Sequence, residues 1–213
     1  MLIELKDITK VYREKSGVET SALNGVSLSI DEGEFVAIAG PSGSGKTTLL
    51  NIIGAIDKPT SGTVIFDGKD ITKPPVHDLS AMRLEKIGFV FQSYNLFPAL
   101  TAIENVEYIM LLRNTPQAER VAISMSVLEK VGLTAHANKR PGELSGGQQQ
   151  RVAVARALAA KPKVILADEP TANLDSVTAE ALVDFMRQLN REEHISFVFS
   201  THDKMVKIGR AHV

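Results

Sequence analysis

The chain has 213 residues, with 24 Lys and Arg against 25 Asp and Glu and a formal net charge of -1. Hydrophobic residues make up 44% and charged residues 23%, a globular balance that excludes an intrinsically disordered chain and disfavours a generally basic nucleic-acid binder. Cysteine is absent, which excludes disulfides, thiolate metal sites and cysteine nucleophiles.

The length fits one domain, or one domain with a small subdomain. No apolar run approaches the roughly 20 residues that span a bilayer, and the first ten residues lack a signal-peptide core. A role at a membrane would therefore need a partner.

In chain order, Leu2 to Leu5 reads as a short strand, and Ala22 to Ile30 places Val26, Leu28 and Ile30 on one face. Asp31 to Glu34 is a polar turn. Phe35 to Ala39 is a continuous apolar run, as expected of a strand buried on both faces. A glycine-rich stretch follows, then a helix over about Lys46 to Ala55. Thr63 to Phe66 is a strand before the Asp67-Gly68 turn, and Ile87 to Phe91 is a further strand candidate.

From about Thr101 to Ala160 the spacing becomes helical, as in Ile103, Val106, Ile109 and Met110 or Val121, Met125, Leu128 and Val131. Val164 to Ala167 and Ile195 to Phe199 return to buried-strand character, with a helix over about Ser176 to Asn190 between them. The pattern predicts an α/β core with a mainly parallel sheet, interrupted by an all-helical segment.

Gly40, Pro41, Ser42, Gly43, Ser44, Gly45, Lys46 and Thr47 spell the phosphate-loop pattern G-x-x-x-x-G-K-[ST], with Thr48 next in the helix. Its context, after a buried strand and before a helix, is the one the pattern requires. The glycines let backbone N–H groups turn inward around an anion, and the helix N-terminus adds partial positive charge. Lys46 would reach the β- and γ-phosphates, and the Thr47 hydroxyl would bind Mg²⁺. Such a loop needs a second acidic site, and Val164 to Ala167 ends in Asp168 and Glu169. Asp168 would hold Mg²⁺ directly or through water. Glu169, pointing differently because it is adjacent, is placed to polarise the attacking water as general base.

Leu144-Ser145-Gly146-Gly147-Gln148 resembles the signature motif of the ATP-binding cassette (ABC) ATPases. The resemblance runs over nearly the whole chain, with motifs in the family's order. It implies a P-loop NTPase fold with a RecA-like core, an antiparallel β region and an inserted helical subdomain at about 93–160. It implies ATP and Mg²⁺ as ligands and ATP hydrolysis as the activity.

By the same resemblance, Tyr12 is the aromatic that stacks on adenine. Gln92 is the loop glutamine that touches Mg²⁺ and the attacking water and links catalysis to subdomain rotation. Asn173-Leu174-Asp175 is the loop that crosses a dimer interface, and His202 is the switch histidine at the γ-phosphate. His77, His136, His194 and His212 match no motif and read as surface or structural. Ser145 reads as the N-cap of a helix running to about Ala160, where its hydroxyl, the Gly146 and Gly147 N–H groups and the helix dipole form an anion site. In the family this site and Gln148 meet the ATP held by the other subunit, so the implied unit is a head-to-tail homodimer with two sandwiched ATP molecules.

Asn51 to Gly54, Asp57 to Gly62, Asn95 to Pro98, Leu100 to Val106 and Gln148 to Ala153 resemble the lipoprotein-release and macrolide-export (LolD/MacB-like) branch. That implies a peripheral subunit on the cytoplasmic side of the inner membrane. Integral permease subunits would be its partners, one of their helices being received near Gln92 to Ala102. The alternative, a soluble ABC ATPase acting on DNA or ribosomes, would bring a long coiled-coil insertion or a second cassette. The sequence has neither, and no nucleic-acid partner is expected. Members usually continue beyond the histidine through further core elements and an Asp-Gly turn. This chain departs by ending at Val213, which puts the completeness of the sheet edge and of the dimer in question.

Overall fold

The computed structural model describes residues 1–15 and 17–202. The stretch after His202, with His212 in it, lies outside the described residues. Among the described residues, the strands form two four-stranded sheets.

The first sheet is antiparallel. It contains β1 (Ile3–Arg13), β2 (Glu19–Ile30), β4 (Ser61–Phe66) and β5 (Lys69–Asp70), in the order β2-β1-β4-β5. β1 is far longer than its apolar start suggests. Register shifts between Leu5 and Ile8, Ile8 and Lys10, and Lys10 and Val11 break its alternation, so periodicity alone truncates it.

The second sheet is parallel. It contains β3 (Phe35–Ala39), β6 (Ile87–Val90), β7 (Val164–Ala167) and β8 (Ser196–Thr201), in the order β3-β8-β7-β6. All of β7 and β8 is buried, which is why β7 reads as an unbroken apolar run and β8 carries an apolar centre, Phe197 to Phe199. Phe35 packs its ring 5.8 Å from Phe197 and 5.1 Å from Phe199.

Helix α1 (Lys46–Ile53) follows β3, and α2 (Ser80–Lys86), with no strong apolar stripe to announce it, precedes β6. The helical stretch holds α3 (Ala102–Leu112), α4 (Gln117–Lys130) and α5 (Gly146–Ala159). α6 (Ser176–Glu193) returns the chain to β8 and ends on His194 in the left-handed region. Thr101 starts α3 with a capping box closed by Glu104. One apolar core joins α3, α4 and α5 to the parallel sheet through Val106, Leu128, Val152, Ile165 and Phe197. The other packs the antiparallel sheet on α1 through Ile3, Leu5, Phe66, Leu49 and Ile53.

An ionic clasp ties the two sheets. Asp67, in the β4–β5 turn, accepts from Lys163 just before β7 (2.7 Å) and Lys86 just before β6 (2.6 Å). Those bonds hold its carboxyl down at about 2, against an ordinary 3.8. A carboxyl lowered on folding stabilises above its unfolded value and loses that contribution as pH falls through the folded one. Asp67→Asn should therefore cost about 1 kcal/mol at neutral pH, allowing for solvent screening. Urea unfolding checks this, and the gap from the parent protein should close as pH is lowered from 4 toward 2.

Candidate functional site

The parallel sheet decides where the site lies. Gly40 follows β3, His202 follows β8, Asp168 and Glu169 follow β7, and Phe91 and Gln92 follow β6. With Ala39 paired to Thr201, Phe199 to Ala167 and Ala167 to Val90, these segments emerge side by side at the carboxyl edge of one sheet. That edge is where ligands bind in open α/β sheets.

The 40–47 loop is shaped for an anion. Gly45 has φ 89, and a Cβ there would collide with the Ala22 carbonyl oxygen of β2. A Cβ on Gly40 would meet Ser44 Oγ at 2.6 Å. Helix α1 begins with no side-chain cap and no acidic residue in its first turn, so its leading N–H groups are left for a ligand. Ser44 Oγ is buried with no hydrogen-bond partner. An oxyanion would satisfy all of these donors.

Lys46 is only 6% exposed. Its Nζ donates to the carbonyls of Gly40 (2.8 Å) and Pro41 (3.0 Å) and lies 3.4 Å from Glu169 Oε1. The ammonium is thus held over the mouth of the loop.

Oxygen donors gather beside it. Thr47 Oγ1 donates to Asp168, with contacts of 3.1 and 2.9 Å to the two carboxylate oxygens. Ser200 Oγ donates to Asp168 Oδ1 at 2.7 Å and accepts the Glu169 N–H at 2.8 Å. A hydroxyl and a carboxylate, without nitrogen or sulfur, suit a hard divalent cation that completes its shell with phosphate oxygens and water. The described residues include no group of three His, Cys, Asp or Glu able to hold a metal unaided. The donor set therefore fits a cation that arrives with a phosphate ligand.

Glu169 has φ 45, a left-handed conformation that turns its side chain away from that of Asp168. Its Oε2 lies 3.1 Å from His202 Nδ1. One carboxylate thus sits between an ammonium and an imidazole, at the end of a buried strand.

Gln92 is exposed, and its carbonyl accepts from Asn173 Nδ2 at 2.9 Å. This bond ties the loop after β6 to the loop after β7. Farther along, Arg156 of α5 donates to the carbonyls of Tyr94 (3.0 Å) and Asn95 (2.5 Å), both at positive φ. A Cβ on Gly146 would meet the Tyr94 hydroxyl at 2.9 Å. The Gln92 loop is thus bonded to α5 through Arg156 and lies close against the start of α5 at Gly146.

Ser145 caps α5 as expected, accepting from the Gln148 N–H while Gln148 Oε1 accepts the Ser145 N–H at 3.0 Å. Gln148 Nε2 lies 3.3 Å from His136 Nε2, which gives that histidine a structural place. Asp175 caps α6, taking the Thr178 N–H at 3.0 Å and the Thr178 hydroxyl at 2.6 Å. These bonds hold its carboxyl below the usual range.

The structure thus brings Lys46, Thr47, Asp168, Glu169 and His202 into one contact network. Tyr12 stands on the other sheet. It pairs with Thr20 on β2, the strand whose Ala22 abuts Gly45. The bonds of Ser145 and Gln148 run to each other and to His136. Sequence reasoning missed Ser200 and Arg156 as parts of the site, and named Asn173 only within the interface loop, without its bond to Gln92. A buried Ser and a helical Arg carry no local signal, because their partners are distant in the chain.

The ABC transporter family model matches residues 23–172. The chain is 50% identical over 209 residues to an uncharacterized ABC transporter ATP-binding protein of Thermotoga maritima, covering 98% of this chain and 88% of that one. It is 45% identical over 207 residues to the macrolide export ATP-binding/permease protein MacB of Syntrophobacter fumaroxidans. It is 46% identical over 205 residues to the pyoverdine export ATP-binding/permease protein PvdT of Pseudomonas entomophila. Those two alignments cover 96% of this chain, which spans only 29% and 31% of the relatives' length.

Among solved structures, the dimeric cassette MJ0796 in a post-hydrolysis state bound to ADP and Pi aligns with a TM-score of 0.86 at 47% identity, covering 95% of this chain and 88% of that one. For cbiO1 from Clostridium perfringens, part of the ABC transporter complex cbiONQ, the TM-score is 0.83 at 32% identity, with 95% of this chain and 78% of that one covered. A family model matching well over half of the chain, a relative at 50% identity and a shared fold leave one conclusion: this chain belongs to the ABC transporter family, as one of its ATPase cassettes.

Proposed function

We propose that the chain binds Mg²⁺·ATP at the carboxyl edge of the parallel sheet and that two copies hydrolyse it together to drive a membrane partner. The observation that carries this reading is the convergence of the 40–47 loop, Asp168, Glu169, Gln92 and His202 on four adjacent strand ends.

In this reading the 40–48 backbone and Lys46 cradle the β- and γ-phosphates, and Thr47, Asp168 and Gln92 hold Mg²⁺. The ion, when bound, neutralises charge on the phosphate oxygens. Glu169 takes a proton from water as the water oxygen bonds to the γ-phosphorus. The bond from that phosphorus to the bridging oxygen breaks, releasing ADP and phosphate. His202 keeps the Glu169 carboxylate oriented and meets the γ-phosphate.

Ser145, Gly146, Gly147 and Gln148 complete the site on the other copy, with Asp175 at the interface between the two. MJ0796 is dimeric, which supports that pairing. Tyr12 receives the adenine. The segment at about 93–160 acts as the inserted helical unit, moved through the Gln92 loop.

The two export relatives join an ATP-binding part to a permease, which supports an integral permease as partner and export or lipoprotein release as the work done. No helix among the described residues is long and apolar enough to cross a membrane. In this reading the chain sits peripherally on the cytoplasmic face, held there by the permease. A groove of about 350 Å³ between core and helical stretch, lined by Phe89, Phe91, Phe97, Tyr108 and Leu112, would receive the permease.

Phosphate release by the purified chain should require both ATP and Mg²⁺ and stop with a chelator. Specific activity should rise with protein concentration, because each site needs two chains. Constant specific activity over a wide dilution range would overturn the two-chain site.

A further inference from the structure

The proposed adenine platform has a support that no motif names. Tyr12 is 41% exposed, yet its hydroxyl donates to Asp57 Oδ2 at 2.9 Å. The other carboxylate oxygen of Asp57 accepts from Lys10 Nζ at 2.8 Å and from the Lys58 N–H at 2.7 Å. Lys10 Nζ also donates to the Lys58 carbonyl at 2.7 Å and lies 4.8 Å from the centre of the Tyr12 ring. The lysine side chain is only 13% exposed. A cation over one face of an aromatic ring is attracted to it and leaves the opposite face for a flat ligand.

Asp57 is itself placed by the phosphate helix. The N–H groups of Ile56 and Asp57 donate to Asn51 of α1, at 2.8 and 3.2 Å. The helix whose first residues form the anion cradle thus ends in the loop that grips Tyr12. Burial pushes the Asp57 carboxyl upward, and the bonds from Lys10, Tyr12 and Lys58 outweigh it, leaving the group ionised and a strong acceptor.

We propose that Asp57, braced by Lys10, is a positioning residue for the nucleotide base: it locks the Tyr12 ring as a platform and links that platform to the phosphate cradle through α1. This rests on the reading that Tyr12 stacks on the base. The device lowers the cost of binding, since an aromatic already fixed in place loses little freedom when the base arrives.

The test compares ATP with inorganic tripolyphosphate, which carries the charges but no base. Dissociation constants are measured by calorimetry for the parent chain and for Asp57→Asn, Tyr12→Phe and Tyr12→Leu. Loss of the ring in Tyr12→Leu should weaken ATP roughly tenfold or more. Asp57→Asn and Tyr12→Phe, which keep the ring but loosen its anchor, should each weaken ATP by about threefold to tenfold. Tripolyphosphate affinity should stay at the parent value in all three. The chain has no Trp and only three Tyr, so intrinsic emission gives a second readout, and its change on adding ATP should shrink in Asp57→Asn.

If Tyr12→Leu weakens ATP while Asp57→Asn and Tyr12→Phe match the parent, the stacking reading stands and the anchor is refuted. If Tyr12→Leu binds ATP like the parent, the stacking reading falls and takes the proposal with it. If Asp57→Asn weakens ATP and tripolyphosphate equally, Asp57 acts through the cradle, and the proposal is overturned.

Discussion

Glu169→Gln is expected to lower ATP turnover roughly 10²- to 10⁴-fold while leaving nucleotide binding intact. The residue sits at φ 45 directly after a buried strand, with its N–H fixed by Ser200. Its two carboxylate oxygens face Lys46 and His202. Glutamine has nearly the same shape and keeps one carbonyl oxygen for one of those partners, its NH2 taking the place of the other. What it loses is the negative oxygen able to take a proton from water. Removing that charge also removes a repulsion toward bound phosphates, so ATP affinity should hold or rise. Phosphate release at saturating ATP measures the chemical step. Size-exclusion chromatography with ATP should show a stable pair of chains, because the cycle stalls before the step that reopens it. Unchanged turnover in this variant would remove Glu169 as the base.

The other large effect concerns Lys46. Lys46→Ala should weaken ATP binding by about tenfold to a hundredfold, from the loss of a charge-assisted contact worth about 1.5 to 3 kcal/mol. The ammonium is almost fully buried and bonded to two loop carbonyls, so it contributes loop shape as well as charge. Its removal also leaves Asp168 and Glu169 as uncompensated negative charge facing the phosphates. Calorimetric titration with ATP decides the matter. An undiminished affinity would show that the phosphates are not held by this loop. The two substitutions are complementary, one separating chemistry from binding and the other removing binding itself.

The local parts of this site were legible because each rests on chemistry within a few residues. The α1 N-terminus follows from glycines and an uncapped first turn. The α5 start follows from Ser145 and Gln148, which close a capping box over three residues. β7 was readable to its last residue, because burial on both faces demands an apolar run and Asp168 ends it. β1 was misjudged in length because its bulges scramble the period on which strand reading depends. α2 went unread because none of its residues is buried.

The sequence by itself determined the chemical inventory: an anion loop, two consecutive carboxylates, a capped glycine pair and a histidine after an apolar strand. It also determined the family. What only the tertiary structure decided is which of these meet. The strand order β3-β8-β7-β6 brings together residues more than a hundred positions apart, such as Thr47 and Asp168. The same packing gives Ser200 its two bonds, carries Arg156 to the Tyr94 and Asn95 carbonyls, and sets Asp57 against the Tyr12 hydroxyl. A motif is written in backbone conformation and nearest neighbours, which a short window of residues controls. A partner across the fold is set by how whole elements bury their apolar faces against one another, and that requires every element at once.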